Sequence, residues 1–291
     1  MSVLAGRTVV ITGAARGIGA ALAQELAARG AVPALVGHEP DELARVAALC
    51  GPRARWWEAD VTDGGRLSVV AAEVAEALGA PDVVVANAGI AVGGPFLTTD
   101  AAAFDRVVEV NLLGSVRTAR AFGPHLVDRR GYLLQIASLA AIATSPMMAA
   151  YCASKSGVEA FAHAVGAEVA HQGVGVGIAY LSWTDTDMVR GADASSPSAG
   201  ARQKLPPPFN RTYSVEQAAR ALADGIEHRR RHVYFPRWVA AVAPVRGLLP
   251  ALMSAAGRKA AAGAAAAYDG GPEVRAVGAG GAADDAARGI S

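Results

Sequence analysis

Short apolar runs alternate with longer stretches of helical periodicity along most of the 291 residues, and few folds accept that order. Thr8–Thr12 (TVVIT), Val32–Val36, Ala54–Ala59, Asp82–Ala86 (DVVVA), Tyr132–Ala137 (YLLQIA), Val174–Leu181 and Val233–Phe235 have the length and composition of strands. Helical patterns fall between them, at about 17–29, 40–49, 63–78, 100–128, 150–171 and 214–229. Strict alternation of this kind builds a parallel sheet with helices on both faces, because parallel neighbours need a crossover to connect them. DVVVA is apolar throughout, as befits a strand buried on both sides. Crossovers of a single hand then give an α/β fold with a doubly wound parallel sheet, in which ligands bind beyond the carboxyl ends of the strands.

The organisation follows from the same pattern. Residues 1–236 read as one α/β domain, and the 52% hydrophobic content is enough to fill its core. Within it, 188–213 lacks periodicity and contains Pro206-Pro207-Pro208, which marks a long functional loop. Residues 237–268 read as a helical extension, and the Gly/Ala-rich stretch 269–291 as a disordered tail. A net charge of +1 offers no field to attract nucleic acid. Cys50 and Cys152 fit neither a disulfide framework nor a zinc spacing, and the six histidines form no cluster with other ligands. No metal is expected, and a reducing, cytoplasmic setting is the simplest reading. The N-terminus enters its first strand without a basic and apolar leader. Segment 238–256 comes nearest to a membrane span, but Pro244, Arg246 and Pro250 interrupt it.

The first strand ends in Thr12-Gly13-Ala14-Ala15-Arg16-Gly17-Ile18-Gly19, where a helix begins. Glycines let the backbone turn sharply and approach a pyrophosphate, while the helix N-terminus offers free N–H groups and partial positive charge. The same glycines alone could make a tight turn without a ligand; strand before and helix after favour the binding reading. Further motifs follow in order: Asp60-Val61, Asn87-Ala88-Gly89, Asn111, Ser138 and Tyr151-Cys152-Ala153-Ser154-Lys155. Over roughly residues 5–190 the chain resembles the short-chain dehydrogenase/reductase family, with a Rossmann-like domain. The resemblance implies that Gly13, Arg16, Gly17, Ile18 and Gly19 hold the phosphates of a nicotinamide dinucleotide. It also implies that Asp60 and Val61 meet the adenine, and that Asn87, Ala88 and Gly89 border the cofactor. Asn111, Ser138, Tyr151 and Lys155 are implied as the catalytic tetrad, with Tyr151 and Lys155 also touching cofactor. Thr186 is implied as the partner of the nicotinamide amide, and the two helices at 100–128 and 150–171 as the faces of a homodimer, within a homotetramer if dimers pair further.

The residues support this chemistry independently. Tyr151 and Lys155, four apart on a helix, share one face. A phenol ordinarily titrates near ~10, and an ammonium beside it favours the phenolate, so the pair can exchange a proton with an alcohol or carbonyl. Ser138, at the end of a strand, can hold the substrate oxygen. An acid at the end of the second strand would mark NAD(H). The chain has Gly37 and His38 there; Arg16 resembles the basic residue that NADP-preferring members of the family place beside the 2′-phosphate, and His38 could add a second donor, so NADP(H) is favoured over NAD(H). Glu39, one step on, could still reach a ribose. The family's Pro-Gly pair after the sixth strand is replaced by Leu181-Ser182.

Met147, Met148 and Trp183, together with Ser138, are the candidate substrate residues, although core packing is a competing role for each methionine. Apolar walls of this kind suit a small hydrophobic ketone or secondary alcohol. The 238–256 segment could cover the pocket, join an oligomer or rest weakly on a membrane surface, in that order of preference. The leading reading is an oxidoreductase. Its alternatives are a cofactor-binding redox sensor or scaffold without turnover, and a peripheral-membrane reductase.

Overall fold

The computed structural model describes residues 2–195, 206–250, 258 and 278–287. Seven strands form one wholly parallel sheet: β1 (Thr8–Thr12), β2 (Val32–Gly37), β3 (Arg55–Glu58), β4 (Val83–Ala86), β5 (Tyr132–Ile136), β6 (Gly175–Leu181) and β7 (His232–Phe235). Their spatial order is β3-β2-β1-β4-β5-β6-β7, which reverses direction beside β1. That reversal opens a crevice at the carboxyl ends of β1 and β4. Register runs unbroken across it, with Val9 opposite both Val32's neighbour Pro33 and Val83.

Alternate residues of each strand feed opposite faces. On one side, Val9, Ile11, Leu35, Leu134 and Ile136 pack with Leu22 and Leu26 of α1 (Gly17–Ala28) and with Leu222 and Ile226 of α8 (Val215–Glu227). Leu43 and Val46 of α2 (Pro40–Cys50) join them. On the other side, Val10, Val36, Val84 and Leu133 meet Leu67 and Val70 of α3 (Gly64–Leu78), Val107 of α4 (Ala101–Val108) and Phe122 of α5 (Gly114–Arg129). A third cluster joins Ile178 and Tyr180 to Val158 of α6 (Ala149–Val169) and to Val239 of α9 (Val239–Val242). Helix starts follow local chemistry: Asp63 caps α3, Asp100 caps α4, and Ser214 with Gln217 forms a capping box on α8.

Several expectations change in detail. The single helix predicted over 100–128 is broken by a π turn at Glu109–Leu113. Part of the 188–213 loop is helical, as α7 (Asp187–Ser195), while 196–205 lies outside the described residues. The tail read as disordered contains α10 (Gly278–Ala287), whose Asp284 is buried against Arg106. That ion pair is a tertiary contact that composition does not reveal. Of the 237–268 extension, α9 and a 3-10 turn at Ala243–Val245 are described, whereas 251–257 and 259–268 lie outside the described residues. Among the described residues, no helix is long and apolar enough to cross a membrane.

Candidate active site

The glycine turn between β1 and α1 is shaped as a cradle. Gly13 and Gly17 take positive φ, +63° and +55°, which side-chain-bearing residues avoid. A Cβ on Gly13 would lie 2.7 Å from the Ala88 Cα, and one on Gly19 would lie 2.2 Å from the Gly13 carbonyl oxygen. Gly19 therefore serves close packing and does not line the cleft, whereas Gly13, Arg16, Gly17 and Ile18 do. Among the described residues no side chain caps α1, so its first N–H groups remain available to an anion. Asn87 ties the turn to β4, its Nδ2 donating to the carbonyls of Thr12 (2.9 Å) and Gly13 (3.1 Å). Ala88, Gly89, His38, Asp60, Val61 and Thr186 line the same cleft.

Three of the four tetrad candidates meet in this cleft. Ser138, Tyr151 and Lys155 line the cleft. Asn111 does not; it sits fully buried in the π turn. Its Oδ1 accepts from the Ile90 N–H at 2.8 Å, and its Nδ2 donates to the Ile90 carbonyl and to Ser154 Oγ, both at 3.0 Å. The asparagine thus fastens the loop after β4 to α6. Burial pushes the Tyr151 phenol above its ordinary range, and hydrogen bonding to Ser138 pulls it partly back. Lys155, expected to favour the phenolate, has its Nζ 5.8 Å from the centre of the Tyr151 ring. Lys155 is 4% exposed, donates to the Ile136 carbonyl at 2.9 Å, and is itself lowered to about 8 by burial.

That shift has a consequence for stability. The unfolded lysine, near 10.5, holds its proton in a window where the folded one has released it. Protonated Lys155 therefore destabilises the fold at neutral pH, and its contribution improves as pH rises from about 8 toward 10.5. Relative to Lys155→Met, the ligand-free wild type is expected to gain about 2 kcal/mol between pH 7 and pH 10. Urea unfolding of both proteins at the two pH values measures this; a pH-independent difference would reject it.

At one end of the cleft, charged groups interlock. Arg16 forks onto Glu39, with Nε donating to Oε2 at 2.9 Å, and also lies 3.6 Å from Asp187. The Glu39 hydrogen bond holds the guanidinium's proton more tightly than usual. His38 lines the cleft with its Nε2 buried and without a partner among the described residues. Asp60 accepts from the Thr62 N–H at 2.8 Å and from Arg106 Nη2 at 2.8 Å. Burial alone would raise its carboxyl, but these bonds carry it below the usual range. Arg106 also grips Asp284, at 2.6 Å through Nη2.

The remaining wall is largely apolar. Met148, Trp183, Met188, Val189 and Leu139 line it. Met147 does not: its backbone takes φ +69°, and its carbonyl accepts from the Gly94 N–H at 2.8 Å. Leu181 and Ser182 stand in the wall where the family pattern has Pro-Gly, and the Ser182 hydroxyl oxygen is buried without a partner among the described residues. Sequence reading named Ser182 only as part of the Leu181-Ser182 replacement, and missed Met188, Arg106 and Asp284. Met188 was visible as an apolar residue beside Thr186; the Arg106–Asp284 pair joins positions 178 apart and left no local signal. Among the described residues, no group of His, Cys, Asp and Glu could hold a metal ion.

The short chain dehydrogenase family matches residues 7–196. A Mycobacterium tuberculosis protein named probable oxidoreductase EphD is 34% identical over 239 residues, covering 77% of this chain and 40% of its own length. The chain thus spans less than half of that relative. Cis-4-hydroxycyclohexanecarboxylate dehydrogenase of Sinomonas cyclohexanicum is 33% identical over 223 residues, covering 75% of this chain and 88% of its own. The crystal structure of an Agrobacterium tumefaciens protein described as a putative gluconate dehydrogenase superposes with a TM-score of 0.72. It covers 81% of this chain and 96% of that one at 24% identity, which speaks to the fold.

Proposed function

The chain belongs to the short-chain dehydrogenase/reductase family, and on that footing we propose that it is an oxidoreductase moving a hydride between NADP(H) and a hydrophobic ketone or secondary alcohol, with Tyr151 moving the proton. One observation carries the reading: the cleft that holds the glycine cradle also holds Ser138, Tyr151 and Lys155. The residues fit a dinucleotide, since the glycine turn packs too closely on Ala88 to admit a side chain at Gly13 and a buried His38 nitrogen in the wall has no partner among the described residues. A bound nicotinamide dinucleotide supplies or accepts the hydride.

The chain's own groups do the rest. Glycines 13 and 17 and the α1 N-terminus receive phosphates; Asp60, Val61 and Thr186 flank the cofactor's two ends. Ser138 orients the substrate oxygen and hydrogen-bonds Tyr151. A phenol raised by burial holds its proton at neutral pH, which suits donation to a carbonyl as it is reduced. In the oxidative direction the same oxygen must first lose that proton, and Lys155 is the nearby base-side partner. Met148, Trp183, Met188 and Val189 favour an apolar substrate.

The absence of an acid at Gly37 and the presence of Arg16 and His38 support NADP(H); Glu39, paired with Arg16, is the opposing group. Half-exposed Leu113 on the α4–α5 unit and exposed Val245 and Leu248 support assembly, as a homodimer or homotetramer. The two free thiols accord with a cytoplasmic setting. Screening ketones and secondary alcohols with each cofactor, by the near-ultraviolet absorbance of the reduced nicotinamide, tests the whole reading. Turnover of apolar substrates with NADPH is the expected result; no turnover or cofactor binding anywhere in the panel would overturn it.

A further inference from the structure

The helix α10 carries three glycines in ten residues, and it does not stand alone. Glycine costs a helix about 1 kcal/mol relative to alanine, and helices this short are marginal without tertiary support. Its support is specific. Asp284 is 3% exposed and takes two nitrogens of Arg106, at 3.0 Å to Nε and 2.6 Å to Nη2. Arg106 simultaneously holds Asp60 at 2.8 Å and Thr62 Oγ1 at 3.0 Å. The helix also packs against α7, which lines the cleft through Met188, Val189 and Ala192. Gly280, Gly281 and Asp284, one helical face, line the same cleft as the cradle. A Cβ on Gly280 would lie 3.6 Å from Arg16 Cδ. The segment therefore reaches from the Asp60 side of the cleft to the Arg16 side.

We propose that α10 is a wall of the cofactor site, closing over the adenosine half of a bound nicotinamide dinucleotide and latched by Asp284 to Arg106. The inference rests on the functional reading above. Two of the three α10 residues that line the cleft are glycines, and the carboxylate of the third, Asp284, is held by Arg106, so the helix adds little side-chain bulk to the cradle, as suits a wall rather than a plug. The latch acts on Arg106, which in turn fixes Asp60, so the tail positions an adenine-side residue without contacting the reacting atoms. Closing a site over its ligand slows release more than it changes encounter.

The test compares the full chain, a chain lacking 278–291, and Asp284→Ala. Alanine is the better helix former, so weakening in that variant reports the lost latch rather than lost helicity. NADPH fluorescence gives the equilibrium dissociation constant, and displacement in a stopped-flow instrument gives the release rate. Deletion is expected to weaken binding and speed release about tenfold, with Asp284→Ala in between. Amide exchange across 278–287 is expected to slow when NADPH is bound to the full chain. Constants within twofold of the full chain in both variants, tighter binding after deletion, or faster exchange on adding NADPH would each overturn the proposal. A full chain that binds neither NADPH nor NADH would overturn the functional reading along with it; unchanged constants in the variants overturn the wall alone. Thermal unfolding of each ligand-free variant shows whether it is folded, and Asp284→Ala carries the test if the deletion is not.

Discussion

Tyr151→Phe is expected to lower kcat at least ~100-fold, the lower range for losing a positioned acid–base group, with fold and cofactor affinity retained. The substitution removes one oxygen and nothing else. The ring packs at the edge of the core cluster containing Val84 and Leu133, and Phe fills the same volume. Ser138 loses a partner, but its Oγ also lies 3.5 Å from the Leu181 carbonyl and accepts from the Ala140 N–H at 3.1 Å. What disappears is the proton held at the floor of the cleft. Because burial keeps that proton on the phenol, the loss should be felt in ketone reduction at neutral pH as well as in alcohol oxidation. The measurement is kcat and KM in both directions beside the cofactor dissociation constant. Undiminished kcat in either direction removes Tyr151 from the proton path.

The alternation of strand and helix was legible because each level agreed: apolar strand interiors, capping residues Asp63, Asp100 and Ser214, and glycines where the chain turns. The tetrad candidates were legible for the same reason, each falling at the end of a strand or on a helix beside it. Asn111 shows where legibility stopped. Its place in a helix marked it as unusual, yet the π turn depends on side-chain bonds to Ile90 and Ser154, which are 21 and 43 residues away. The Arg106 knot was hidden more thoroughly, since its partners lie 46 and 178 positions off and one belongs to a stretch of glycine and alanine. Met147 and Met148 looked alike as letters; the first takes a positive φ, and of the two the second lines the cleft. Arg16 and Glu39 read as rival ribose ligands, but side by side they neutralise each other. If a 2′-phosphate binds there, it competes with Glu39 for one guanidinium.

If Arg16 and His38 take a 2′-phosphate, the guanidinium must exchange the Glu39 carboxylate for the phosphate. A charge-assisted hydrogen bond contributes ~1.5–3 kcal/mol, or roughly 10–150-fold in affinity at ~1.4 kcal/mol per decade. Arg16→Ala is expected to weaken NADPH by that factor and NADH far less. Glu39→Gln should act oppositely, freeing the guanidinium and removing a negative charge from the phosphate's surroundings, so the preference for NADPH rises. Gly37→Asp places a carboxylate at the end of β2, where the nearest atom to the added Cβ is Leu43 Cδ2 at an ordinary 3.5 Å. That variant should fold and shift preference toward NADH by repelling the phosphate and accepting from the ribose hydroxyl. The ratio of kcat/KM for the two cofactors, in wild type and the three variants, decides. A wild type that prefers NADH, with a ratio indifferent to Arg16→Ala, would make the Arg16–Glu39 pair a structural clasp at the mouth of an NAD(H) site and leave Glu39 as the ribose ligand.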